Sequence, residues 1–127
     1  MSKKVRAVVA TGPLDEYVRQ SIERAKKLDR GEKLPAECRI TFEDPADFLR
    51  AISAERLRVL HAIRKKTKPT ISGLAVILKR DRRAVSRDVK LLEELGLLRT
   101  RDEANPGHGV MTVIAPLAEK YHLEATV

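Results

Sequence analysis

The chain reads as an α+β protein, mainly α, in which a small strand-helix-strand extension precedes a helix-turn-helix and a β-hairpin. Three observations predict this. From Gly73 to Leu95 apolar residues recur every three or four positions in two runs, broken at Arg80-Asp81. After them, strand-forming Leu97–Arg101 and Val110–Ile114 bracket the turn-forming run Asn105-Pro106-Gly107-His108-Gly109. Before them, a β-branched run, an amphipathic stretch and an alternating run follow one another. The expected division is an extension over 1–43, for dimerisation or partner binding, and a winged helix-turn-helix over 44–127.

The elements follow in order. Lys4–Ala10 is a short strand, ended by Gly12-Pro13. Leu14–Arg30 is a helix, with Leu14, Tyr17, Val18, Ile22, Ala25 and Leu28 on one side and Gly31 as its stop. Arg39–Glu43 (RITFE) alternates and is a second strand, free to pair with the first in this chain or in a second copy. Asp44 caps the next helix and Pro45 opens it, with Phe48, Leu49 and Ile52 as its apolar side. Ser53 caps another helix, with Leu57, Leu60 and Ile63 pointing inward. Arg64, Lys65, Lys66 and Lys68 collect at its C-terminal end, where they complement the helix dipole.

Beyond Lys68-Pro69, Thr70 or Ser72 caps a helix over Gly73–Lys79 that packs through Leu74, Ala75 and Leu78. Arg80-Asp81 turns the chain into a second helix, Arg82–Leu95, and Gly96 ends it. The hairpin follows, and Pro116–Leu123 is expected to be a short closing helix.

On the helix over 82–95, Val85, Val89, Leu92 and Leu95 share one stripe, while Arg82, Arg83, Ser86, Arg87 and Lys90 share the opposite one. Glu93 and Glu94 fall only in the last turn. Basic residues at the N-terminal end are where a recognition helix meets base edges. An arginine fork can grip guanine O6 and N7 in a bidentate manner. The bland alternative is a solvated helix face with Asp88 and Glu94 as partners within the helix. In the hairpin, Arg99, Arg101 and His108 are positioned to touch DNA backbone or minor groove, with Asp102 and Glu103 opposing them.

Charge agrees with this placement. The formal net charge is +8. Residues 50–110 carry fifteen Lys and Arg against seven Asp and Glu, whereas residues 1–49 carry ten against nine. Concentrated positive charge suits phosphate, because neutralising phosphates releases condensed counterions. Aromatic content of 3% leaves too few rings for recognition by base stacking.

The stretch from about Glu43 to Val113 resembles a winged helix-turn-helix family of small prokaryotic regulators, similar in layout to the MarR and ArsR regulators. The carriers are ITFEDPADFLRAISAERLRVLHAI, ISGLA and KRDRRAVSRDVKLLEELGLL. The resemblance implies transcriptional regulation. Some members resemble antitoxins, which repress their own operon and grip a small toxin protein with the remaining segment. By it, Arg82, Arg83, Ser86 and Arg87 carry DNA contacts, and residues 1–42 bind a toxin or a second copy. Many such turns carry glycine, whereas Lys79-Arg80 stands here, which leaves the turn's length and shape open.

Other chemistry finds no support. Cys38, His61, His108 and His122 are scattered, so no metal site is expected. No Ser-His-Asp spacing, Walker loop or G-x-G-x-x-G is present, so neither catalysis nor a cofactor is expected. One cysteine and no signal or membrane-spanning run point to the cytoplasm. The expectation is a homodimeric repressor of double-stranded DNA, touching it with Arg82, Arg83, Ser86, Arg87 and Lys90, which divide between base edges and phosphates in a way the sequence leaves open, together with Ser72, Arg99, Arg101 and His108. A protein-interaction module, or a non-specific nucleoid or RNA binder, stays open as an alternative.

Overall fold

The computed structural model describes residues 5–34, 36–65 and 68–127; Lys4 and Lys66, named above, lie outside them. The elements are β1 (Val5–Thr11), α1 (Leu14–Asp29), β2 (Ala36–Phe42), α2 (Pro45–Ala51), α3 (Ala54–Lys65), α4 (Ile71–Leu78), α5 (Arg82–Glu94), β3 (Leu98–Asn105), β4 (Gly109–Pro116) and β5 (Lys120–Glu124). They form two compact units, one of residues up to Arg50 together with Ala118–Val127, the other Ala51–Leu117.

The first unit is built on a parallel sheet with strand order β2-β1-β5. The two strands expected near the N-terminus do pair with each other in one chain. They are parallel, Val5 opposite Ala36 and Thr11 opposite Phe42, so α1 is the crossover between them. Ala7, Val8, Val9 and Ala10 are all buried, as expected of a central parallel strand covered on both faces. Phe42 and Phe48 meet edge to face at 6.1 Å, which seats α2 beside the end of β2. Asp44 caps α2 as expected, its Oδ1 accepting from the Ala46 amide at 2.9 Å.

The closing helix expected over Pro116–Leu123 is not formed. β4 runs through Pro116, and Lys120–Glu124 becomes a strand beside β1, with Ala7 opposite Tyr121 and Val9 opposite Leu123. The reason is alternation: Tyr121 and Leu123 are half-buried while Lys120, His122 and Glu124 are exposed, a period of two. The units therefore divide differently from the 1–43 and 44–127 expected. Strand pairing returns the C-terminus to the first unit, and α2 stays there through Arg50.

The second unit places α3, α4 and α5 around Val59, Leu60, Ile63, Leu74, Val85, Val89 and Leu92, all buried. Leu97, Leu98, Val113 and Ile114, also buried, close this core from the hairpin. The Ile114 amide donates to the Pro69 carbonyl at 2.8 Å, and Thr70 bridges to Val113, so the segment before α4 lies along β4. Ser53 Oγ accepts from the Arg56 amide at 3.3 Å, and Thr70, rather than Ser72, caps α4 by accepting from Gly73 at 3.0 Å. Gly96, at φ 82°, closes α5: its amide reaches the Glu93 carbonyl and the Leu97 amide reaches Leu92.

One inward position expected in α3 is corrected. Leu57 is exposed, and Arg56 is the half-buried residue beside Val59, Leu60 and Ile63. On a helix, 56, 59, 60 and 63 share a stripe that 57 does not. An arginine is tolerated there because it meets a buried carboxylate, described next.

Candidate nucleic-acid interface

α5 begins where the chain can present side chains from a fixed base. Asp81 has extended backbone angles and its Oδ1 accepts from the Arg83 amide at 3.0 Å, which caps the helix. Val85, Asp88, Val89 and Leu92 are buried. Arg82, Arg83, Ser86, Arg87 and Lys90 are all exposed. Among the described residues none of Arg82, Arg83, Arg87 and Lys90 has an ion-pair partner.

Asp88 does not play the part that the alternative reading of this face gave it. It is not a partner for the exposed arginines within its own helix. It points inward, and its carboxylate accepts from Arg80 Nη1 at 2.7 Å and from Arg56 Nε at 3.3 Å. Arg80 also lies 3.4 Å from Glu55, and Arg56 Nη1 donates to the Ala51 carbonyl at 3.1 Å. This network joins α3, the turn and α5, so it sets the angle at which α5 leaves the turn. The signal was in the sequence: Asp88 is three after Val85 and four before Leu92, on the apolar stripe.

The turn itself is short. Lys79 takes a left-handed conformation, φ 53° and ψ 47°, the position that glycine usually fills in such turns. The Arg80 amide still reaches the Ala75 carbonyl at 3.0 Å, so the missing glycine has not lengthened the turn.

The hairpin supplies the other wall. β3 and β4 are antiparallel, Leu98 opposite Pro116 and Asn105 opposite Gly109. Glu93 Oε2 accepts from both the amide and the hydroxyl of Thr100 at 2.7 Å, tying the end of α5 to β3. Between α4, the start of α5 and the hairpin lies an open cleft of about 720 Å³. Ser72, Arg82, Arg83, Ser86 and His108 line it, joined by Asp81, Asn105, Val110 and Thr112. Arg87, Lys90, Arg99 and Arg101 are exposed but lie outside it. Thus all nine expected residues face solvent, and five converge on one cleft.

Residues 81, 105, 110 and 112 were missed because caps and strand ends carry no charge pattern. Their chemistry suits the site: an aspartate can accept from cytosine N4, and apolar carbons such as those of exposed Val110 suit a thymine methyl. The acidic residues of the hairpin are occupied. Asp102 accepts from Thr112 Oγ1 at 3.1 Å, and Glu103 pairs with Lys68 and with Arg101 Nε at 3.0 Å. Hydrogen bonds from Lys68, then Arg101, hold the Glu103 carboxyl below the usual glutamate range.

The family model HVO_A0114 matches residues 51–113, which fall within the second unit. No curated protein matches the chain. Among solved structures, the chain is similar to wild-type MarR of E. coli in its apo form, at 20% sequence identity and a TM-score of 0.44. That alignment covers 81% of this chain and 66% of the MarR chain. The winged-helix description rests on the elements themselves: three helices, a tight turn into α5 and an antiparallel hairpin closing the same core. No described helix is long and apolar enough to cross a membrane, and no three described metal-binding side chains gather.

Proposed function

We propose that this chain is a sequence-specific DNA-binding transcriptional regulator, acting as a repressor. α5 enters the major groove and the hairpin lies against the neighbouring backbone or minor groove. One observation carries the reading: four cations without ion-pair partners among the described residues share the exposed face of α5, with the N-terminal two lining a cleft walled by the hairpin. Uncompensated cations held on a rigid helix suit phosphates and guanine edges. Arg82, Arg83 and Ser86 are assigned to bases. Arg87, Lys90, Ser72, Arg99, Arg101 and His108 are assigned to phosphates and the flanking groove. Repression follows if the bound protein occludes a promoter. A homodimer would present two copies of α5 to successive major grooves about 34 Å apart, implying a roughly palindromic operator.

The test is fluorescence anisotropy with duplexes from the chain's own upstream region and scrambled controls. The expected result is preference for one duplex, weakened at least tenfold by Arg83→Ala with Arg87→Ala while the fold is kept. Equal affinity for every duplex would instead assign a general nucleic-acid binder, and no binding at low salt would overturn the reading.

A further inference from the structure

We propose that the apolar stripe of α1 is the surface on which a second copy of this chain docks, helix against helix and antiparallel. The proposal deepens the homodimer in the reading above by naming the surface and its register. α1 is a 16-residue helix in which no residue is buried. Leu14 is 60% exposed, Val18 45%, Ile22 50% and Leu28 52%. With Tyr17 and Ala25 they occupy one arc of the helix along its full length. Every other described helix buries at least one side chain in the chain's own core. A continuous apolar stripe left in water on a helix of this length marks an interaction surface.

Charge selects the occupant. Asp15 and Glu16 lie in the first turn of α1, and Lys26 and Lys27 in the last. A twofold axis through Ser21 sets Leu14 opposite the partner's Leu28 and brings Asp15, on the flank of the stripe, beside the partner's Lys26 on the same flank, and each contact occurs twice. The same axis sets Tyr17 against the partner's Ala25. A parallel pairing would set acid beside acid and lysine beside lysine, which is unfavourable. Antiparallel pairing also aligns the opposite ends of the two helix dipoles. Small Ser21 and Ala25 at the centre let the axes approach closely. The Ser21 hydroxyl already donates to the Tyr17 carbonyl at 3.0 Å, so covering it strands no donor. A helix of this length presents a face of about 24 Å by about 10 Å, well short of the roughly 800 Å² per partner of a standard interface, so the dimer is expected to be weak.

The test is light scattering coupled to size exclusion from 5 to 200 µM on the full chain. The wild type is expected to pass from monomer to dimer across that range. Val18→Glu with Ile22→Glu, both at exposed positions, is expected to stay monomeric with an unchanged circular dichroism spectrum. In a Cys38→Ala background, Ser21→Cys is expected to form a disulfide between copies under mild oxidation, while Asp15→Cys is not. A wild type still monomeric at 200 µM would overturn the proposal and leave the stripe to another chain, such as a small toxin. A dimer untouched by the double substitution, or cross-linked through Asp15→Cys, would overturn it as well. Binding to a single half-site, measured on the Val18→Glu, Ile22→Glu variant, scores the DNA reading separately, because α5 is untouched.

Discussion

Replacing Asp88 by Asn tests the claim that a buried ionic network holds α5 at its angle. The substitution keeps the shape and removes the charge that Arg80 Nη1 approaches at 2.7 Å and Arg56 Nε at 3.3 Å. The side chain of Asp88 is 12% exposed, and those of Arg80 and Arg56 are 22% and 24% exposed. Breaking a fully buried pair costs roughly 3–5 kcal/mol, and an exposed pair is worth about 0–1 kcal/mol. Here both guanidinium groups keep some water, Arg80 retains Glu55 and Arg56 retains the Ala51 carbonyl. The expected loss is therefore about 2 kcal/mol, or a fall in melting temperature of roughly 10 °C for a domain of this size. Thermal unfolding by circular dichroism reads it directly. A double-mutant cycle with Arg80→Gln should show a coupling of about 1 kcal/mol. A loss within about 0.5 kcal/mol of zero, the usual range of surface substitutions, would refute the network.

Lys79→Gly should raise the melting temperature by a few degrees, because it relieves a left-handed residue at a cost of unfolded-state entropy, for a net gain of about 0.5–1 kcal/mol; differential scanning calorimetry checks it. Glu103→Gln should destabilise the hairpin slightly at neutral pH. The native carboxyl titrates below its usual range, so its contribution is present above the ordinary glutamate pKa and is lost as pH falls through the lowered one. The difference in melting temperature between the two proteins should accordingly shrink toward zero on acidification below about pH 4, and also with added salt. Arg83→Ala with Arg87→Ala should leave the unfolding free energy within about 0.5 kcal/mol of wild type, read by thermal unfolding, since both side chains are exposed and without ion-pair partners among the described residues.

Local chemistry was the legible part of this sequence. Asp44, Ser53 and Thr70 announce helix starts because an oxygen two or three residues ahead of an amide can bond it without tertiary help. The exposed face of α5 was legible because a 3.6-residue period separates Arg83, Arg87 and Lys90 from Val85, Val89 and Leu92. What stayed hidden depended on distant partners. Asp88 lies on the apolar stripe of α5, which marks it as inward-facing, but only the fold brings its partner Arg56, 32 positions away, onto it. β5 was misjudged as a helix because its hydrogen-bonding partner, β1, lies at the opposite end of the chain. The cleft drew on residues such as Asn105 and Val110 that acquire meaning only when the hairpin is laid beside α5. Fold-level pairing decided those cases; the period of two over residues 120–124 and the stripe position of Asp88 are local traces, but neither names the distant partner.

The central claim is most directly tested by the salt dependence of DNA binding. The account predicts that the logarithm of affinity for the preferred duplex falls linearly with the logarithm of salt concentration. Arg83→Ala with Arg87→Ala should make that slope shallower by up to about 2 per bound copy, and by less where one arginine reads a base rather than a phosphate. A slope near zero, or one that the double substitution leaves unchanged, would contradict it.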